Sequence, residues 1–326
     1  NFPIIKQSVN LELTNHELPK FFYDSTPCPY RQKGGSVEAE KLLQSFLNKR
    51  GENYQFEMSS PITAEKSCSR LSTHLTYGTI SHRAVFQEAT KKRDQIKHTN
   101  KNFAKSINSF LSRLHWRSHF IQKLEDQPSI EHTSFIPVYD QIREKDEEKL
   151  EAWIEGKTGV HFIDACMIYL RNYGWINFRM RAMLASFASY NLWLDWRYFA
   201  PRLAALFTDF EPGIHYSQIQ MQSGTTGINT IRMYNPYKQA MDQDPLAKFI
   251  KSQIPKVKNF PPAFFHNPPK KSLNVNLFDN EFQKEIINVK ETAQYARKKI
   301  FDIRKSQEHK ILAKNVYLKH GSRGRS

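Results

Sequence analysis

The chain has 326 residues, 39% of them hydrophobic and 13% aromatic, enough apolar material for a sizeable core in one large domain or two smaller ones. Lys and Arg outnumber Asp and Glu by 48 to 32, a formal net charge of +16, so a polyanionic partner is expected, nucleic acid foremost, with an adaptation to solubility as the alternative. Three widely separated cysteines (Cys28, Cys68, Cys166) exclude a disulfide framework and a paired-cysteine metal motif, and no run approaches the ~20 apolar residues of a membrane span. No metal site is expected. The cysteine usage fits a reducing intracellular compartment, cytoplasmic and nucleoid-associated or nuclear. The first residue is Asn1 rather than Met, which leaves room for residues upstream.

In chain order, residues 1–33 carry scattered prolines (Pro3, Pro19, Pro27, Pro29) and read as an extended arm or interdomain linker. Lys33-Gly34-Gly35-Ser36 predicts a turn and an N-cap, after which Ala39, Leu42, Leu43, Phe46 and Leu47 keep helical spacing. From about residue 80 the pattern is helical almost throughout. Phe103, Ile107, Phe110, Leu111 and Leu114 form one amphipathic stripe ahead of Trp116, and Phe162 to Tyr173 predicts a helix closed by Gly174. Trp175 to Trp196 is a long segment, apolar on most sides, that also carries Arg179 and Arg181, and burying arginine demands a carboxylate or an anionic ligand. Residues 209–230, with Gly213, Gly224, Gly227 and many short polar side chains, break the helical pattern and read as a loop facing a ligand or as a plain connection. A proline-containing link at Pro261, Pro262, Pro268 and Pro269 leads into a strongly basic helical tail over residues 265–326. The helical catalytic domain is expected over residues 34–264.

Ser67-Cys68-Ser69-Arg70-Leu71-Ser72, followed by His74 to Ser81, places hydroxyls around one arginine at a loop-to-helix boundary. Such a boundary can hold a phosphate, although Ser and Thr are equally ordinary helix caps. Trp116 beside Arg117 fits either a ligand contact or a core aromatic next to a surface charge. Asp164 lies in an apolar helix, where an unpaired carboxylate is costly, so it requires a partner.

Taken together, in this order, these blocks resemble the photolyase/cryptochrome family over nearly the whole chain. The family's T-S-R-L-S-P-Y-L and S-P-R block reads here CSRLSTHLTYGTISHR. Its F-L-x-E-L-x-W-R-E-F reads FLSRLHWRSHF, and W-x-x-G-x-T-G-x-x-x-x-D-A-x-M reads WIEGKTGVHFIDACM. Its G-W-M-H-N-R-x-R-M, L-x-x-D-W-R and F-R-x-F-N-P appear as GWINFRMRA, LWLDWR and IRMYNP. The resemblance implies an all-α flavin domain holding FAD between helices. It assigns the cofactor to Tyr54, Cys68, Ser69, Arg70, Leu71, Ser72, Arg117, Arg181, Asp209, Glu211 and His215, with Arg181 and Asp209 as a buried pair flanking the flavin ring. It also implies a light-dependent DNA repair lyase acting on pyrimidine photoproducts, or a blue-light photoreceptor without repair activity. The family's α/β antenna domain is not found in this sequence; that domain, or its chromophore, is expected elsewhere if used.

The departures are specific. Cys68 replaces the usual threonine. Arg113 stands where repair enzymes for cyclobutane dimers carry a glutamate, and Phe178 replaces the asparagine of G-W-M-H-N-R. Trp116 keeps one substrate-facing tryptophan position while Met221 stands at the other, and His215 takes the position facing flavin N5. Arg113, Trp116, Phe178, Arg179 and Met221 are the implied DNA contacts. Of the family's tryptophan relay only Trp196 remains; Ile219 occupies the inner position and the outer one falls near Arg143. Trp193, Tyr190, Tyr198 and Tyr216 offer another route or are simply core. Trp196, Trp116 and His215 are the implied reactive-site residues.

Overall fold

The structure is a computed structural model that describes residues 27–268 and 284–321. Most of the expected N-terminal arm (1–26), residues 269–283 and the last five residues lie outside the described part. Among the described residues the elements are α1 (Ser36–Ser45), a π turn (Phe46–Arg50), α2 (Tyr54–Glu57), α3 (Pro61–Ser67), α4 (Ser72–Thr76), α5 (His82–Ile96) and α6 (Lys101–Asp126). There follow α7 (Glu147–Glu155), α8 (His161–Tyr173), α9 (Phe178–Ser186), a second π turn (Phe187–Asn191), α10 (Trp196–Ala205) and α11 (Pro212–Ser223). Then come α12 (Pro236–Gln243), α13 (Lys248–Gln253), α14 (Pro262–His266), α15 (Val289–Lys305) and α16 (Gln307–His320). Strand structure among the described residues is limited to one isolated bridge between Glu144 and Leu194. The architecture is all-α, as the periodicity and the resemblance both imply.

Local chemistry explains most helix ends. The side chains of Ser60, Ser81, Asn100 and Asp146 accept N–H groups of the first turns of α3, α5, α6 and α7. Gly174 closes α8 with φ 63°, in the left-handed region where an L side chain is strained. At α1 the cap is Gly35, and Ser36 is the first helical residue with no capping hydrogen bond from its side chain.

Two expectations are corrected. Trp175 to Trp196 is not one helix: α9 widens into the π turn, and the chain then kinks at Trp193, whose φ is 57°. Residues 212–223 are a helix and not a loop. Pro212 starts α11, Gly224 ends it with φ 72°, and Gly213 sits inside it where a Cβ would lie 2.7 Å from Cα of Ile121 on α6. Gly213 is therefore a close-approach residue that lets α11 cross α6.

Three apolar clusters make the interior. The largest gathers α7 to α11 around Trp153, Trp196, Phe187 and Phe199. A second joins α1 to α6 through Phe46, Tyr54, Leu71 and Phe110. The third, built on Ile136, Tyr139 and Tyr190, receives Ala296 and Ile300 of α15. Val289, Ala296 and Ile300 form the buried stripe of that helix, while Arg297, Lys298 and Lys299 stay exposed.

Asp164 has the partner its position demands, but it is not a cation. It accepts N–H groups from Thr158 (2.8 Å) and Gly159 (2.9 Å) and the Thr158 hydroxyl (2.6 Å), stapling the α7–α8 turn to α8. Burial outweighs these neutral donors and pushes its carboxyl up to about 6. In Asp164→Asn the new NH2 must face one of those donors. A loss of about 1–3 kcal/mol is expected, read as a lower urea midpoint at unchanged slope; an unaltered midpoint would show that one acceptor oxygen suffices.

Candidate functional site

The loop Cys68–Leu71 joins α3 to α4 and is shaped by an arginine from another helix. Arg50 donates through Nη1 to the carbonyls of Lys66 (2.8 Å) and Cys68 (2.7 Å), through Nη2 to those of Leu42 (3.2 Å) and Ser69 (3.3 Å), and through Nε to the Ser45 hydroxyl (2.9 Å). The loop's carbonyls are thereby held to one side. Arg70 takes φ 62°, a strained conformation for a non-glycine residue. It is secured there by reciprocal bonds with Gln32, whose amide donates to the Arg70 carbonyl (2.9 Å) and accepts from Nε (3.2 Å). Its guanidinium stacks on Trp175 at 3.9 Å. Nη1 of Arg70 is buried and finds no hydrogen-bond partner among the described residues. Leu71 anchors the loop in the second core cluster, which also holds Tyr54. Tyr54 packs edge-on against Phe46, and its hydroxyl is raised above the ordinary range by burial. Burial likewise pushes the Cys68 thiol up to about 12, so it is neutral at pH 7.

Across the interior, Arg181 of α9 makes a two-pronged pair with Asp209: Nη1 donates to Oδ1 at 3.0 Å and Nη2 to Oδ2 at 2.8 Å. Nε donates to the Ile176 carbonyl (2.7 Å) and the guanidinium lies over Phe207 at 4.2 Å. The Asp209 side chain is 3% exposed, so this carboxylate answers the charge problem posed by an arginine in an apolar segment. Arg117 pairs with Glu211 at 3.2 Å and donates to the Leu75 carbonyl at 3.4 Å, tying α6 to both α4 and the start of α11. His215 is buried on α11, and its Nε2 donates to the Ala200 carbonyl at 3.0 Å, leaving Nδ1 as the ring's remaining polar atom.

The implied DNA contacts lie on three neighbouring helices. Trp116 on α6 is 42% exposed and stacks on Phe120 at 5.6 Å; Phe178 at the start of α9 is 53% exposed. Arg113 is exposed beside the Tyr54 hydroxyl, Arg179 donates to Gln239 at 3.4 Å, and Met221 is half-buried near the end of α11. α11 packs against both α6 and α9. Exposed Trp and Phe flanked by cations are able to stack on bases and meet phosphates. Trp196 is buried, donates its indole N–H to the Ser134 hydroxyl (2.9 Å), and has Tyr216 at 6.4 Å between centroids.

Sequence reasoning did not single out Arg50, Gln32, Trp175 or Asn177. Asn177 donates to the carbonyls of Met58 (3.0 Å) and Ser59 (2.8 Å), fixing the start of α9 against the chain that leads to the loop. Only Trp175 and Asn177 had a signal, as members of the quoted block GWINFRMRA.

The loop with its buried, unpartnered Arg70 N–H, the Arg181–Asp209 pair and the aromatic flank suit an anionic, ring-bearing cofactor. Residues 110–309 match the model of the FAD-binding domain of DNA photolyase. The chain belongs to that family, as an FAD-binding domain of the photolyase type. It is 29% identical over 241 residues to the deoxyribodipyrimidine photo-lyase of Streptomyces griseus, covering 74% of this chain and 50% of that protein. Among solved structures it is similar to a photolyase from Sulfolobus tokodaii with two FAD molecules (TM-score 0.65, 29% identity, 83% of this chain and 57% of that one). It also shares its fold with a Synechocystis cryptochrome (TM-score 0.75, 21% identity, 86% and 58%). The chain spans about half the length of the curated relatives it matches. No helix among the described residues is long and apolar enough to cross a membrane.

His215 generates a pH prediction. Burial lowers its pKa to about 4, against about 6.5 in an unfolded chain. Between those values the unfolded state binds the extra proton, so stability is full above about 6.5 and is lost as the pH falls toward 4. His215→Asn should flatten the slope of unfolding free energy against pH in that window, by up to ~3 kcal/mol across it; an unchanged slope would mean the ring protonates freely in the folded state.

Proposed function

We propose that this chain is the catalytic part of a light-dependent DNA repair flavoprotein. FAD would be held by Tyr54, Cys68, Ser69, Arg70, Leu71, Ser72, Arg117, Arg181, Asp209, Glu211 and His215. The observation that carries the reading is Arg70, a strained arginine with a buried, unpartnered N–H on a loop whose carbonyls Arg50 has drawn away. Such a loop presents donors to phosphate. When bound, the flavin supplies light absorption and the electron given to a pyrimidine photoproduct. The protein's own residues bind, orient and exclude water. Arg181 is held in place by Asp209, His215 is kept neutral by burial, and Cys68 offers a thiol where a hydroxyl is usual. Trp116 and Phe178 would stack on bases of a flipped lesion, Met221 would pack beside them, and Arg113 and Arg179 would meet phosphates. A blue-light photoreceptor without repair activity is the second reading, favoured by the cation Arg113 in place of a glutamate and by Ile219 at the inner relay position.

Three experiments test this. Arg70→Ala and Asp209→Ala should yield largely colourless protein, the second also losing about 1–3 kcal/mol because Arg181, whose side chain is 25% exposed, loses its carboxylate partner; full flavin occupancy in both would overturn the cofactor site. The holoprotein should then remove photoproducts from a UV-irradiated oligonucleotide under blue light and not in the dark. Trp116→Ala should weaken binding to that oligonucleotide by roughly 1–3 kcal/mol more than to undamaged DNA, whereas Arg179→Ala should weaken both and lower the salt slope by about one. Flavin-loaded protein that leaves the lesions intact in the light supports the photoreceptor instead.

A further inference from the structure

Where α15 seats on the body, the interior becomes a cluster of donors. Arg143 is buried between the second π turn and the C-terminal end of α11. Its Nε donates to the Ser189 carbonyl (2.9 Å) and its Nη2 to the Ser223 carbonyl (2.8 Å). The guanidinium lies over the rings of Trp193 (4.9 Å) and Tyr190 (5.5 Å). Its third nitrogen, Nη1, is buried without a hydrogen-bond partner among the described residues. The same holds for the hydroxyls of Ser189, Ser223 and Tyr190 and for Nε of Arg304 on α15. Three of these groups belong to residues that Arg143 touches directly. The fourth, Arg304, acts with Arg143 on the hydroxyls of both Tyr139 and Tyr190. Gly224 borders the cluster: a Cβ there would stand 2.4 Å from the Tyr190 oxygen.

Guanidinium N–H groups can only donate; each of the three hydroxyls can donate or accept, but none accepts from either arginine here, and each keeps a proton that can turn inward. Neither arginine forms an ion pair with a carboxylate among the described residues; Asp195, the acid that acts on Arg143, is paired with Arg197. A buried arginine normally has a paired anion, because desolvating the charge is expensive.

We propose that this cluster is a binding site for a small inorganic anion of halide size, held by Arg143, Arg304, Tyr190, Ser189 and Ser223. The site is separate from the Ser69–Ser72 loop and from the Arg181–Asp209 pair. Because Arg304 belongs to α15 and the other four groups to the body, the bound anion fastens the C-terminal helices in place.

The test uses the whole chain, with sodium chloride exchanged for sodium gluconate at fixed ionic strength. The thermal midpoint is expected to rise with chloride and saturate. Tyr190→Phe, which keeps the ring and removes one donor, should weaken the apparent chloride affinity roughly five- to tenfold, and Arg143→Met should abolish the dependence. If Arg143→Met does not fold, Tyr190→Phe alone carries the comparison. Crystals grown in sodium bromide decide the matter. An anomalous peak within hydrogen-bonding distance of Arg143 Nη1 and the Tyr190 oxygen establishes the site; density for water alone at that position overturns it, whatever the thermal data show.

Discussion

A guanidinium taken out of water is tolerated only if its N–H groups are met, and the pairing of Arg181 with Asp209 is the point on which the rest of this interior turns. The pair fixes Asp209, and with it the approach of the chain to Pro212, where α11 begins. The third donor of Arg181 holds the Ile176 carbonyl, so the turn between α8 and α9 is fixed from the same atom group. That turn carries Trp175, on which Arg70 stacks, and Asn177, which grips the chain entering α3. The donor loop and the buried pair are therefore two ends of one mechanical unit. Movement of Arg181 would be felt at Arg70 through only a few side chains.

The charge count needs a structural reading before it becomes an argument about nucleic acid. Arg50, Arg143 and Arg181 direct much of their hydrogen bonding to backbone carbonyls or to an internal carboxylate, so these cations are engaged within the fold. Two of the carbonyls they hold belong to the last turns of helices, Lys66 in α3 and Ser223 in α11, where the helix dipole favours a cation. A share of the +16 is thus spent on the fold. Exposed cations include Arg113 and the α15 run Arg297, Lys298 and Lys299.

Most helices were legible because their stripes and caps are local properties; α8 with Gly174 shows this. The pairing of Arg181 with Asp209 was legible only through family resemblance, since no spacing rule links positions 28 residues apart. What misled was α11. Its serines and glutamines read as a loop facing a ligand or as a plain connection, yet Ser217, Gln220, Gln222 and Ser223 are buried in a helix, and Gln220 is bonded inward. Gln220 donates to the carbonyls of Ile130 (2.8 Å) and Thr133 (2.9 Å) and accepts from the Phe135 N–H (2.8 Å), pinning the irregular chain after α6 to α11. Polarity signals exposure only where the neighbours are already satisfied. Here the neighbouring segment has no ladder of its own, and a buried amide supplies its partners. Arg50 was invisible for a related reason: its acceptors are carbonyls, which every residue has.

The same physics bears on the aromatic residues around Trp196. Four rings offered a path onward from it: Trp193, Tyr190, Tyr198 and Tyr216. A positive charge over an aromatic face stabilises the neutral ring and opposes a hole on it. Arg143 lies over Trp193 at 4.9 Å and over Tyr190 at 5.5 Å, and Lys145 lies over Tyr198 at 5.7 Å. Tyr190 has the further handicap that its hydroxyl, without an acceptor among the described residues, has nowhere to send a proton. Tyr216 carries no such cation among the described residues. It contacts Trp196 on one side and His215 on the other, at 6.4 Å and 5.2 Å between centroids. Arg143 therefore does more than pack against these rings. It makes the adjoining rings poor donors and leaves Tyr216 and Trp196 as the contiguous aromatic pair beside His215.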